Sequence, residues 1–261
     1  MKLHRIYAII LRFIFHFKHS LDKAIDVFYW PALDLFNWGL ASLYFSSLAK
    51  DGQNIVFALL SGLLLWLVVY RVQNEVSGNL LEDTWNRNLV NIFVSPLKFS
   101  EWIASLVLLG IIKSGVSFVF AATLAFALYQ FKIIAIGVYL VPMMLLLVMT
   151  GWWMGFIISG IVLRFGTRIQ ALSWSLVGVI SPFAAIYYPV SILPHWAQNV
   201  SALVPVSYVF ESARQFIATG AIDPANLYTG FFLNAIYFIG ALIFLKMSFN
   251  SVLKKGLVKT F

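Results

Sequence analysis

The chain has 261 residues, of which 61% are hydrophobic and 11% charged, and its mean hydropathy is +0.89. That much apolar surface points to a polytopic membrane protein and leaves no room for a soluble catalytic domain. The formal charge of +8 signals first a positive-inside topology, and the lack of Cys excludes disulfides and thiolate chemistry.

Residues 1–22 are expected to form an amphipathic interface helix. Leu3, Ile6, Tyr7, Ile10, Phe13, Ile14 and Phe17 share an apolar face, and Arg5, Arg12, His16 and His19 lie opposite. A basic-faced helix of this kind lies in the headgroup plane, as a simple anchor or as a lipid-sensing or gating element. It is not a cleavable signal, because Arg12 interrupts the apolar run and no small-residue cleavage site follows.

About 20 apolar residues cross the hydrocarbon as a helix, so the length allows roughly six spans. They are expected at 27–47, 54–73, 103–129, 133–160, 171–190 and 226–248. The first carries Asp34 and Asn37, and the short AKDGQN turn joins it to the second. The third carries Lys113 at depth. Intramembrane charges are normally paired or face water, so Asp34 and Lys113 are expected to approach each other or to share a polar cavity, unless each sits nearer an interface. In the fourth span Pro142 should kink the helix, and Gly151, Gly155 and Ser159 form a small-residue ladder for close packing. Pro182 should break the fifth.

Between the second and third spans lies NEVSGNLLEDTWNRNLVNIFVSPLKFSEW, residues 74–102. An amphipathic helix is expected over 79–94, with Leu81, Trp85, Leu89, Ile92 and Phe93 on one face and Glu82, Asp83, Asn86, Arg87 and Asn91 on the other. Ser95-Pro96 ends it. Two readings fit these residues: a handle through which a soluble partner moves the membrane part, or an interfacial loop helix with no partner.

Residues 191–222 hold two helices too short to cross, HWAQNVSALV after Pro194 and YVFESARQFIA after Pro205. Ser207 is the expected N-cap of the second and Gly220 its stop. They fit a re-entrant external hairpin. With the N-terminus, the handle, the 161–170 loop and the C-terminus cytoplasmic, all but Lys50, Lys113, Lys132 and Arg214 of the 18 Lys and Arg face inside. Both termini are therefore expected in the cytoplasm.

No catalytic or metal constellation stands out. His16 and His19 belong to a basic helix face with no carboxylate placed beside them in sequence, and there is no P-loop, voltage-sensor series or selectivity-filter motif. The basic residues follow topology, so no nucleic acid is expected.

The order of these elements resembles the membrane subunits of type-2 ATP-binding-cassette exporters, a class of drug-efflux, lipo-oligosaccharide and polysaccharide permeases. The resemblance covers essentially the whole chain. It is carried most by Glu75 through Glu101, with an acidic start, a coupling helix and Ser-Pro-Leu, and by LVPVSYVFESARQF, residues 203–216, with Pro205, Tyr208, Glu211 and Arg214. The chain lacks the basic-aromatic start and Gly-x-x-Trp of O-antigen and teichoic-acid permeases and has YWPALDLFNWG instead, so the polysaccharide branch matches less well.

The resemblance implies an all-α permease in the cytoplasmic (inner) membrane, paired with a second copy or a homologous permease and surrounded by membrane lipid. It also implies a separate cytoplasmic ATPase that binds ATP and Mg, with no cofactor in this chain and no enzyme activity of its own. Glu75, Glu82, Asp83, Trp85, Asn86 and Arg87 would couple to that ATPase, with Trp85 as a buried anchor. Trp30, Trp38, Trp66, Trp152, Trp153 and Trp174 are available to line a pathway for an amphipathic cargo. Readings from other classes are an ion-gradient-driven secondary transporter, a lipid-modifying membrane enzyme and a structural protein of the membrane.

Overall fold

A computed structural model describes residues 1–48 and 52–255. Lys50 with part of the AKDGQN turn, Lys259 of the basic tail, and the Phe93 side chain lie outside the described residues. Among those described, every regular element is a helix. In chain order these are α1 (Leu3–His19), α2 (Leu21–Ala24), α3 (Trp30–Leu48), α4 (Gly52–Trp85), α5 (Leu89–Val94), α6 (Phe99–Tyr129), α7 (Leu140–Phe165), α8 (Leu172–Ile180), α9 (His195–Ser201), α10 (Pro205–Thr219) and α11 (Pro224–Lys255).

Among the described residues four helices are long and apolar enough to cross a membrane: Asn54–Trp85, Phe99–Tyr129, Ile133–Phe165 and Pro224–Lys254. The expected span at 27–47 is helical, entered through a π-helical turn at Ile25–Tyr29, but is not among these four. The expected span at 171–190 is shorter than its sequence implies. It stops as an α-helix at Ile180 and continues only as the 3-10 turn Ser181–Phe183.

The second span differs most. Rather than ending near 73 and giving way to a separate helix over 79–94, α4 runs unbroken for 34 residues, about 51 Å at 1.5 Å per residue. It ends at Trp85, and two residues on, Arg87 adopts a left-handed conformation with φ +54°. The Asn88 amide donates to the Asp83 carbonyl at 2.8 Å and the Arg87 amide to the Thr84 carbonyl at 3.1 Å. This is a Schellman stop built without glycine. Only the six-residue α5 follows before Pro96.

Pro142 also behaves differently from expectation. Helix α7 starts at Leu140, so Pro142 falls in its first turn, where a missing N–H costs nothing, and it starts the helix rather than kinking it. Ser207 is not an N-cap either. Val204 caps α10, and the Ser207 hydroxyl donates to the Ser201 and Val204 carbonyls. Gly220, at φ +72°, does end α10 as the sequence leads one to expect.

Helix α4 sits at the centre, packed against α3, α6 and α7, while α7 packs on α11 and α10 wedges against α7, α11 and α4. The core face of α4 runs through Leu60, Leu64, Val68, Val72, Val76 and Leu80, each buried. Opposite it, Gly151 and Gly155 of α7 let the two backbones meet. A Cβ on Gly151 would lie 2.6 Å from the Val72 Cβ, and one on Gly155 2.6 Å from the Val76 Cβ. Ser159 continues the row, its hydroxyl 3.4 Å from the Val76 carbonyl. On the other side of α7, Asn234 of α11 is fully buried and accepts from Thr150 at 2.9 Å and from the Trp153 indole at 3.0 Å. These contacts fasten α7 between α4 and α11.

Gly155→Ala is therefore expected to lower stability by about 1–3 kcal/mol through overpacking. Gly240→Ala, where an added Cβ meets nothing within 4 Å, should be neutral or slightly stabilising. Thermal melts of the detergent-solubilised protein check both; equal behaviour of the two variants would contradict the close approach of α4 and α7.

Candidate functional site

Helix α4 carries polar residues at 71, 75, 79, 82 and 83, a spacing that puts them on one helical face. Each charged group in this stripe has a partner on another element. Arg71, 1% exposed, donates to the Asp26 carboxylate at 2.6 Å and to the Asp26 carbonyl in the π-helical turn. Glu75 pairs with Lys113 of α6 at 2.6 Å and accepts from Asn79 at 3.1 Å. Glu82 meets His16 at 2.7 Å and Lys23. Asp83 is bound by Arg12 and by the Asn88 side chain at 3.1 Å.

The same pattern extends to the start of α6. Glu101 is fully buried and accepts from the Lys98 amide at 3.0 Å, closing the first turn of its own helix, and from the Lys2 amide at 2.7 Å. Arg5 lies 3.3 Å from Glu101 and also donates to the Pro96 carbonyl. Arg5, Arg12 and His16 fall at helical spacing along α1, so its basic face is zipped onto Glu101, Asp83 and Glu82. The sequence reading set that face toward lipid headgroups; in the structure it also pairs with protein carboxylates, while Arg12 and His16 stay partly exposed. His16 is thereby tied to Glu82, and His19 contacts the Phe15 carbonyl at 2.9 Å.

These contacts sort the expected coupling residues into two groups. Glu75 and Asp83 are buried, and Glu82 is partly buried and doubly paired, so all three face inward. Trp85, half exposed, and the exposed Asn86 and Arg87 form the surface of the stop that ends α4. The Trp85 indole donates to Gln170 at 3.2 Å, which brings the 166–171 turn alongside, with Arg168 and Trp174 exposed near it in sequence. The apolar Val94 that ends α5 and the Ser95-Pro96 step after it are exposed.

The expected meeting of Asp34 and Lys113 is corrected, since Lys113 is committed to Glu75. Asp34 and Asn37 lie on exposed positions of α3. Of the external-hairpin residues, Pro205 occupies the first turn of α10 and the Tyr208 hydroxyl donates to the Ala202 carbonyl at 2.9 Å. Glu211 accepts from the Val190 amide at 2.7 Å and pairs with Arg214 at 3.0 Å. Tyr208 and Glu211 thus tie the 190–204 stretch, which includes α9, to α10, and Arg214 steadies Glu211. Among the described residues no three His, Cys, Asp or Glu gather in a way that could hold a metal ion.

Sequence reasoning missed Arg71, Asp26, Glu101 and the inward role of Glu82 and Asp83. The signals were present: the four-residue recurrence through Arg71, Glu75 and Asn79, and the match between the basic stripe of α1 and the acids at 82, 83 and 101.

Removing one member of a buried pair costs about 3–5 kcal/mol, because the other charge is left uncompensated. Glu75→Gln and Lys113→Met should each destabilise on that scale, and the double variant should recover at least half of the summed loss in a double-mutant cycle of thermal stability. Arg5→Ala with Arg12→Ala should raise amide exchange across residues 3–19 by at least about tenfold while leaving α7 protected.

No family model matches this chain, and a search of curated proteins finds none similar to it, so the reading of its function rests on geometry and on the order of its elements.

Proposed function

We propose that this chain is the permease subunit of an ATP-driven exporter of the type-2 ABC class, moving an amphipathic, lipid-like, glycolipid or drug cargo outward across the cytoplasmic membrane. On this reading the segments 27–47 and 171–190 join the four long apolar helices as spans, the second crossing partly as non-helical chain after Phe183, giving six with both termini in the cytoplasm. The permease pairs with a second copy or a homologue. ATP and Mg are bound by a separate cytoplasmic ATPase, and this chain catalyses nothing itself.

The observation that supports the reading most is the polar, tryptophan-bearing stop at the end of an unbroken helix. Trp85 offers a large half-exposed ring and Arg87 an exposed guanidinium, the pairing of anchor and charge by which interfaces gain affinity and register. Glu82 and Asp83 are not contact residues in this scheme. They lock the stop to α1, so a partner that grips Trp85 and Arg87 shifts α1 and α4 together. Because α4 has no break before Gly52, that shift passes along it as a rigid-body motion.

The test is purification of the tagged chain from its native membrane in mild detergent, wild type beside Trp85→Ala with Arg87→Glu. A vanadate-sensitive ATPase is expected to accompany the wild type and to be lost, by at least about tenfold in activity, from the variant. Absence of any ATPase from the wild-type preparation would sink the ATP-driven reading.

A further inference from the structure

Helices α3 and α4, with Ala121 of α6 and Tyr187 of the turn after α8, border a partly open cavity of about 220 Å³ whose lining includes Asp34, Trp38, Trp66 and Tyr70. That volume is below the roughly 300–1,000 Å³ of pockets that take a whole drug-sized ligand, so the space suits a head group rather than a complete amphiphile. Trp38 and Tyr187 stack with ring centroids 4.4 Å apart and planes 13° from parallel, which fixes both rings in the wall.

The charges around this cavity do not balance. Asp26, Asp34 and Arg71 are the charged groups whose fields meet there. Arg71 is committed to Asp26 through the carboxylate at 2.6 Å and through its carbonyl. Asp34 has no hydrogen bond and no ion pair among the described residues. Two carboxylates against one guanidinium leave one negative charge, and it belongs to the group that lines the aromatic space. Asp34 stands at an exposed position of α3 and lines this cavity, so its unpartnered carboxylate is available to a cation that enters the aromatic space.

The wall on one side is not helical. Ala184, Ala185 and Ile186 are buried at 0%, 0% and 2% exposure, and Ala185 holds a left-handed φ of +56°. Irregular backbone within such a bundle persists where protein covers it or where it lines a cavity, and a left-handed non-glycine residue persists where its surroundings impose it. The next residue but one is Tyr187, which this bent segment delivers onto Trp38. Chain geometry that is costly elsewhere is used here to complete an aromatic wall.

We propose that this cavity binds an organic ammonium ion, as a free small amine or as the head group of a larger amphiphile. Asp34 supplies the counter-charge. Trp38, Trp66, Tyr70 and Tyr187 supply the π faces that attract a weakly hydrated cation. The site is a property of this chain alone and stands whether or not an ATPase drives the protein.

The test uses the purified full-length chain in phosphatidylglycerol nanodiscs, titrated calorimetrically with choline and with its uncharged carbon isostere, 3,3-dimethyl-1-butanol. Choline should bind saturably, and the isostere at least about tenfold more weakly. Asp34→Asn, which keeps the shape and breaks no pair, should lose at least about tenfold in choline affinity, and Trp38→Leu should lose affinity as well, while Asn37→Ala on the same helix keeps it. Nanodiscs containing phosphatidylcholine separate the two sources of the cation. A weakened apparent choline affinity there assigns the cavity to a lipid head group, and an unchanged one to a free amine. No saturable choline binding, equal affinity for the isostere, or full affinity in Asp34→Asn would each overturn the proposal.

Discussion

A charged side chain inside an apolar helical bundle is tolerated when an opposite charge and good hydrogen bonds meet it, and is expensive otherwise. Arg71, Glu75, Glu82 and Asp83 impose that condition along one face of α4, and the arrangement of the neighbouring elements satisfies it. Asp26 sits where Arg71 can reach it, and the π-helical turn presents its carbonyl as well as its carboxylate. Lys113 sets the register of α6 against α4. Arg12, His16 and Lys23 fix α1 and α2 against the far end. Such pairs add little to stability relative to apolar residues of the same size. What they add is direction, because a bundle held by greasy contacts alone could slide or rotate at small cost.

The face next to it, about 100° round the helix, is constrained by shape. Gly151 and Gly155 leave no gap between α7 and the Val72–Val76 ridge, so that interface specifies position through backbone contact. Charge on one face and close contact on its neighbour together fix the position and rotation of α4. The irregularity is concentrated elsewhere, in the 181–192 stretch between α8 and α9, where short turns replace helix and Ala185 takes a left-handed conformation.

Much of this architecture was legible in the sequence. The apolar composition pointed to long apolar helices, four of them long enough to cross a membrane among the described residues, the glycine ladder to a close helix contact, and Pro96 and Gly220 marked real ends. What was not legible follows from three causes. Counting apolar residues ends a span where polar ones begin, yet paired polar residues let α4 stay buried to Asp83. An amphipathic pattern reveals that a polar face exists but not what covers it, so Glu82 and Asp83 looked available to a partner while the basic stripe of α1 already held them. A stop that uses Arg87 at positive φ has no glycine to announce it. Of the proposed coupling surface, Trp85, Asn86 and Arg87 could be read from the sequence. The mis-paired Lys113 shows the limit of depth arguments, since Asp34 and Glu75 were both acids within plausible reach and only the helix packing chooses between them.

The contacts that hold α1 also order events in time. Arg12 precedes Asp83 by 71 residues and Arg5 precedes Glu101 by 96. At a synthesis rate of roughly 5–20 residues per second, α1 leaves the ribosome about 5–20 s before Glu101 does. Through that interval its basic face has no protein carboxylate to meet, and anionic lipid and water are the partners at hand. Its basic face can exchange such partners for Glu82 and Asp83 only once α4 has been made, and for Glu101 only once α6 has begun. Docking of α1 therefore waits on the 96 residues of chain made after Arg5, up to Glu101.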